Sequence, residues 1–139
     1  MLEIKKIREN HKHFVEGLKK RGIEGVETTI DRILELDRQR REQQHRMQEL
    51  QAEGNVAAKS IGQLIASGKK EEAEKAKKFS GESKAAIKEL EEIVRGFDAE
   101  QTQLLVALPN VPHDSVPVGS SETDNLEVSR HGVFNEVPE

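Results

Sequence analysis

Two heptad runs separated by one glycine restrict what this chain can fold into. In the first run, Ile33, Arg40, Met47, Gly54 and Ile61 recur every seven residues, with Leu36, Gln43, Leu50, Ala57 and Leu64 offset by three. These are the a and d positions of a heptad. In the second run, a is Ala73, Ser80, Ile87, Val94, Gln101 and Leu108, and d is Ala76, Ser83, Leu90, Phe97 and Leu104. Two stripes of similar length, broken at Gly68, predict an antiparallel hairpin rather than one long rod. The hairpin is expected over about 29–106, with its turn near 67–69. Folding at Gly68 brings Met47 opposite Leu90 and Ile61 opposite Ala76. The seam carries weak residues: Arg40, Gln43, Gly54, Ser80, Ser83 and Gln101. Its large side chains cluster at the base, where Ile30, Ile33, Leu34 and Leu36 should meet Phe97, Leu104 and Leu105.

Composition agrees with a thin, solvated ribbon. The chain of 139 residues is 35% charged and 3% aromatic, with no Trp or Tyr. A rod buries little apolar surface per residue, and this chain has little to bury. The absence of Cys excludes disulfides and thiolate chemistry. No run of eighteen apolar residues exists to span a membrane. Met1 to Lys5 lacks the apolar core of a signal peptide, so a cytoplasmic location is expected.

The formal charge of −4 is unevenly spread. Between Asn55 and Lys88 stand eight lysines: Lys59, Lys69, Lys70, Lys75, Lys77, Lys78, Lys84 and Lys88. Four acids accompany them, Glu71, Glu72, Glu74 and Glu82, leaving +4 there and −8 elsewhere. A basic free end points to an anionic partner. The competing reading is a lysine-rich helix face that is merely solvated.

Around the hairpin, Leu2, Ile4 and Ile7 suggest a first helical turn. Asn10 is placed to cap a second piece over 11–21, with Phe14, Val15 and Leu18 on one face and Gly22 as its stop. Thr28 or Thr29 is expected to cap the first long helix, with Asp31 in its first turn. The expected class is all-α: a long antiparallel hairpin with short N-terminal helices packed at its base and an extended, Pro-rich C-terminal tail. After Leu108, three prolines in nine residues exclude helix. Ser120 to Asn125 reads as turn, and Leu126 to Ser129 is compatible with a short strand. The connector leads to no closing element, which suggests a segment of a longer protein. The division expected is 1–108 for the arm and 109–139 for the connector.

Residue constellations for catalysis are absent. His11 and His13 point to different helix faces and make a poor metal pair. His113, Asp114 and Ser115 are the residue types of a hydrolase triad, but being adjacent they cannot readily bond in series. Asp114 and Ser115 read as turn formers. Phe14, Phe79, Phe97 and Phe134 are too scattered for a base-stacking platform. If nucleic acid binds, charge and shape carry it rather than base readout.

The run Pro109-Asn110-Val111-Pro112-His113-Asp114-Ser115-Val116-Pro117-Val118-Gly119, followed by Asp124-Asn125-Leu126-Glu127-Val128, closely resembles the connector of bacterial seryl-tRNA synthetases. The opening Met1 to Asn10 and the stretch Leu34-Glu35-Leu36-Asp37-Arg38-Gln39-Arg40-Arg41 resemble the same family's start and first arm helix. His11 departs from it, since the family often has Pro there; either residue suits a first helical position. The resemblance implies a coiled-coil arm that grips the long variable arm and elbow of serine tRNA, largely through phosphates. The eight lysines are the candidate contacts. The resemblance also implies a class II catalytic domain beyond this segment, using ATP and Mg²⁺, and a homodimer formed through that domain. None of its motifs occurs here, so this segment is expected to hold no cofactor, to bind no metal and to catalyse nothing alone. By itself it is compatible with a monomer. The alternative is a stand-alone coiled-coil adaptor binding a protein at its tip, which would have no use for the connector.

Overall fold

The computed structural model describes residues 2–119 and 121–132. Four α-helices follow one another: α1 (Ile4–Glu9), α2 (His11–Lys19), α3 (Val26–Ala66) and α4 (Lys70–Ala107). A short 3₁₀ turn, Glu122–Asp124, lies in the tail. Helices α3 and α4 pack along their length as an antiparallel hairpin, with α1 and α2 against α3 at the base. Every a and d residue of the two heptad runs is buried or half-buried. The hairpin, the short N-terminal helices and the extended tail are thus as the periodicity predicts.

The turn is set by Gly68, whose φ of +74° lies in the left-handed region that favours glycine. There Lys69 N donates to Leu64 O (2.9 Å) and Gly68 N donates to Ile65 O (3.0 Å). These two bonds form a Schellman closure, which satisfies carbonyls the end of α3 would otherwise leave open.

Register follows from close contacts. The Gln101 side chain, itself buried, donates to Ile33 O (3.0 Å). A Cβ added at Gly54 would lie 3.2 Å from Ser83 Cβ, so the two helices approach closely there. Gly54 facing Ser83 is the register that puts Met47 opposite Leu90 and Ile61 opposite Ala76, seven residues either way. The weak seam residues therefore have uses. Gly54 and Ser83 allow close approach, Gln101 supplies a cross-helix bond, and Arg40 lies in ion-pair range of Asp98, its Nε 3.3 Å from Oδ1 without a hydrogen bond.

One core closes the base. Leu2, Ile7, Phe14, Val15, Leu18, Val26, Ile30, Ile33, Leu105 and Leu108 form it, with Ile4, Ile23, Leu34, Leu104 and Val111 packed around. Leu36 is also fully buried, whereas Phe97 is only half-buried and lies outside this cluster. The connector joins the core too: a Cβ at Gly17 would collide with the Val111 side chain. Beside it, Arg21 Nη1 donates to Asn110 O (2.7 Å).

Some expectations need correction. Helix α3 begins at Val26, ahead of the expected cap at Thr28 or Thr29. Gly25, at φ +67°, takes the N-cap position without a side chain, and Val26 is buried to 1% exposure. Burial of Val26 outweighs the preference for a hydroxyl cap. Thr29 lies inside the first turn, its Oγ1 donating back to Gly25 O (3.0 Å). Asn10 does precede α2, but its side chain makes no cap bond. Helix α2 ends at Lys19, short of Arg21. Residues 126–129 are not a strand, and no strand exists among the described residues for them to pair with. Asp114 and Ser115 do form a turn, closed by Val116 N donating to His113 O (3.0 Å), and His113 Nδ1 meets Ser115 Oγ (2.9 Å) across it without the Asp114 carboxylate. Ser120 and Phe134 lie outside the described residues.

Two expected outcomes follow from this packing. Amide exchange in the hairpin should be fastest at the tip and slowest beside Ile33 and Leu105, because small seam residues bury less surface. Uniform protection along both helices would contradict this. Ser83 Oγ is buried and has no hydrogen-bond partner. Replacing Ser83 with Ala removes that unmet group and adds helix propensity, so the change should be neutral or stabilising by up to about 1 kcal/mol. A fall in the urea midpoint would count against it.

Candidate nucleic-acid interface

Position on the heptad decides where each charge points. The residue after each d position (e) and the residue before each a position (g) flank the seam on opposite sides. The hairpin is therefore a ribbon with an e face and a g face. The bidentate pair between Arg32 and Glu100 (2.7 and 2.9 Å) links two g positions, which fixes this geometry. On the other side, Gln51, Ala58 and Lys84, all e residues, line one shallow groove beside Gly54 and Ser83.

The eight candidate lysines do not form one patch. Lys70, Lys77 and Lys84 are successive e residues of α4, and Lys88 is one helical turn beyond Lys84 on the same side. All four are exposed. Lys75 falls on the opposite, g-facing side. Lys59 of α3 and Lys78 of α4 are f residues on the outer backs of their helices. Lys69 sits in the turn and pairs with Glu72 (3.2 Å), while Lys78 pairs with Glu82 (3.8 Å). Lys59, Lys70, Lys75, Lys77, Lys84 and Lys88 take part in no ion pair among the described residues, and four of these six share the e side. A lysine without a protein carboxylate keeps its full charge available to an outside anion.

At the base, by contrast, many charges are paired with one another. The Asp37 carboxylate is buried between Arg8 Nε (3.4 Å) and Arg41 Nε (3.1 Å). Lys19 reaches Glu27 (2.9 Å), and His11 reaches Asp31 (2.9 Å). Glu35 holds Arg38 through two bonds (2.7 and 2.9 Å). The bonds from Arg38 lower the pKa of Glu35, and those from Arg32 lower the pKa of Glu100.

No group of three or more His, Asp or Glu suited to a metal occurs among the described residues. No helix there is long and apolar enough to cross a membrane. The face that Lys70, Lys77 and Lys84 share is readable from their seven-residue spacing. The split of the other lysines is less visible, because it depends on which helix flank each occupies.

This geometry defines a class: a helical-hairpin arm domain with one cationic face near its free end. Comparison with known proteins makes the assignment specific. The seryl-tRNA synthetase N-terminal domain family matches residues 1–112, and the chain belongs to that family. A serine–tRNA ligase of Novosphingobium aromaticivorans is 43% identical over 132 residues, covering 95% of this chain and 30% of that ligase. One from a Synechococcus strain is 40% identical over 135 residues, with the same coverage of 95% and 30%. The crystal structure of seryl-tRNA synthetase from Pyrococcus horikoshii complexed with ATP matches at a TM-score of 0.82 and 37% identity, over 92% of this chain and 28% of that one. The chain thus spans about 30% of the length of the curated relatives it matches.

The charge pairs at the base carry a pH signature. A depressed carboxylate pKa contributes stability above the unfolded value, and that contribution is lost as pH falls through the folded value. In an NMR titration Glu100 and Glu35 should therefore titrate below the ordinary glutamate range. Arg32→Gln should return Glu100 to that range and leave Glu35 shifted by Arg38. An unaltered Glu100 midpoint in that variant would remove Arg32 as the cause.

Proposed function

We propose that this chain is the tRNA-binding arm of a seryl-tRNA synthetase, gripping the long variable arm and elbow of serine tRNA. The observation that carries the reading is the row of unpaired lysines, Lys70, Lys77, Lys84 and Lys88, on one face of the hairpin in a chain of this family. RNA phosphates are the anions such a row suits: evenly repeated, fully charged and reachable by flexible ammonium groups. Lys69, Lys75, Lys78 and Lys59 lie on other sides and add long-range attraction rather than direct contacts on the same face. With few exposed aromatics, the arm reads shape and backbone, not base edges.

Serine activation belongs, on this reading, to a class II catalytic domain elsewhere in the protein, with ATP and Mg²⁺ held there and none by this segment. The enzyme is a cytoplasmic homodimer joined through that domain, and its arm reaches the tRNA on the partner subunit. Family membership removes the ground for the adaptor alternative.

Binding through phosphates releases counterions, so affinity should fall steeply with salt. Changing Lys70, Lys77 and Lys84 to Glu should weaken binding to serine tRNA and reduce the slope of log affinity against log salt by about three. Helicity by circular dichroism should be unaltered, because Lys and Glu have similar helix propensity. Unchanged affinity and slope would make these lysines a solvated face only.

A further inference from the structure

The face opposite the lysine row has the reverse charge. Between Arg46 and Glu91, the e face and the b positions beside it hold Lys70, Lys77, Lys84 and Lys88 against Glu74 and Glu91, a net +2. The g face and the c positions beside it hold Glu49, Glu53, Glu72, Glu82 and Glu89 against Arg46 and Lys75, a net −3. Glu53 and Glu89 take part in no ion pair among the described residues, and Glu82 meets Lys78 of the outer strip only at 3.8 Å, with both side chains exposed. The two outer strips at f, by contrast, carry Lys59, Glu71 and Lys78 and are nearly balanced.

The ribbon is one helix thick, about 10–12 Å. The Debye length at physiological salt is about 8 Å. An RNA phosphate against one face is thus largely screened from the other face through solvent. The glutamates do not cancel the lysines; each face presents its own sign. The g face also exposes Phe79 and Ile93, at 40% and 46%, and the c residue Val56 is exposed at 69%. Apolar side chains among carboxylates offer a phosphate backbone neither charge nor donors.

We infer that the g face, through Glu53, Glu82 and Glu89, is an electrostatic barrier that confines RNA to the lysine face and so fixes which way round the arm lies on its tRNA. This rests on the tRNA-binding reading and adds a determinant to it. A cylinder with lysines all round would bind RNA in many rotational settings. Repulsion on one side discards the settings in which the wrong side docks, and specificity arises as much from that penalty as from attraction.

The absence of cysteine from this chain makes the test direct, since one introduced thiol is the only thiol in it. Val56 and Ala58 are both exposed, and being two residues apart on α3 they point to opposite faces. Val56→Cys and Ala58→Cys chains, each carrying a tethered iron chelate that generates hydroxyl radicals, are mixed with serine tRNA at low salt. Cleavage of the RNA is expected from position 58 and not from position 56. In a chain that also carries Glu53→Gln, Glu82→Gln and Glu89→Gln, cleavage from position 56 should rise to match position 58. Equal cleavage from both positions before the glutamates are changed would overturn the barrier. So would cleavage confined to position 58 after they are changed. Absence of cleavage from either position, together with no salt-dependent binding, would overturn the tRNA reading itself and the barrier with it. Helicity measured on each variant guards against unfolding, which glutamine at these sites should not cause.

Discussion

A pair of helices has no interior beyond its seam, and here the seam thins toward the tip. What holds the hairpin together is therefore the base, where α1 and α2 cover Ile30 and Ile33 and α4 contributes Leu105. Only there does the chain bury side chains from more than two elements. At about 25 cal/mol per Å² of apolar surface, this cluster outweighs the Ala and Ser contacts nearer Gly68. The buried Asp37 extends the same junction in polar terms, held by Arg8 of α1 and Arg41 of α3. Removing either arginine would leave a buried carboxylate less fully paired, a costly state. The N-terminal helices are thus the clamp that holds the long two-helix arm together at one end.

With the base fixed, the tip is free to specialise. Its residues need only keep two helices adjacent, so small side chains suffice and the outward positions are released for charge. The eight lysines between Asn55 and Lys88 occupy that freedom. Many acids and bases at the base are mutually bonded, whereas six of the eight tip lysines take part in no ion pair among the described residues. Both regions are rich in charge, yet one uses it for cohesion and the other leaves it for an external anion. A count of net charge along the chain shows the polarity but not this difference in pairing.

Much of the fold is legible in the sequence because heptad spacing and a turn glycine are local signals. The a and d assignment held along both helices, and folding at Gly68 gave the register that Gly54 and Ser83 display. Long-range packing was less legible. The start of α3 is not legible, because Val26 is buried by residues distant in sequence, whereas Thr28 and Thr29 carry the hydroxyls that locally suit a cap. The docking of Val111 on Gly17 spans nearly the whole domain and has no local signature. Shared spacing placed Lys70, Lys77 and Lys84 on one face. The acidic face is not legible in the sequence, because its glutamates come from both helices and only the paired structure brings them together.

Register is what converts these patterns into surfaces, and polar residues in the seam define it. A stripe of Ala, Ser and Leu alone would tolerate sliding, because each small residue fits many neighbours. Gln101 bonding to Ile33 O and Arg40 facing Asp98 do not tolerate it. If α4 shifted by one residue against α3, the buried Gln101 amide would turn away from the carbonyl it bonds. An unmet buried amide costs about 1–3 kcal/mol. A shift of one residue would rotate the lysine row by about 100° about the helix axis, out of the e face and past the groove beside Gly54. Residues that weaken the seam as hydrophobic contacts thus select one alignment of it. That alignment keeps Lys70, Lys77 and Lys84 on one side of the arm and Glu53, Glu82 and Glu89 on the other.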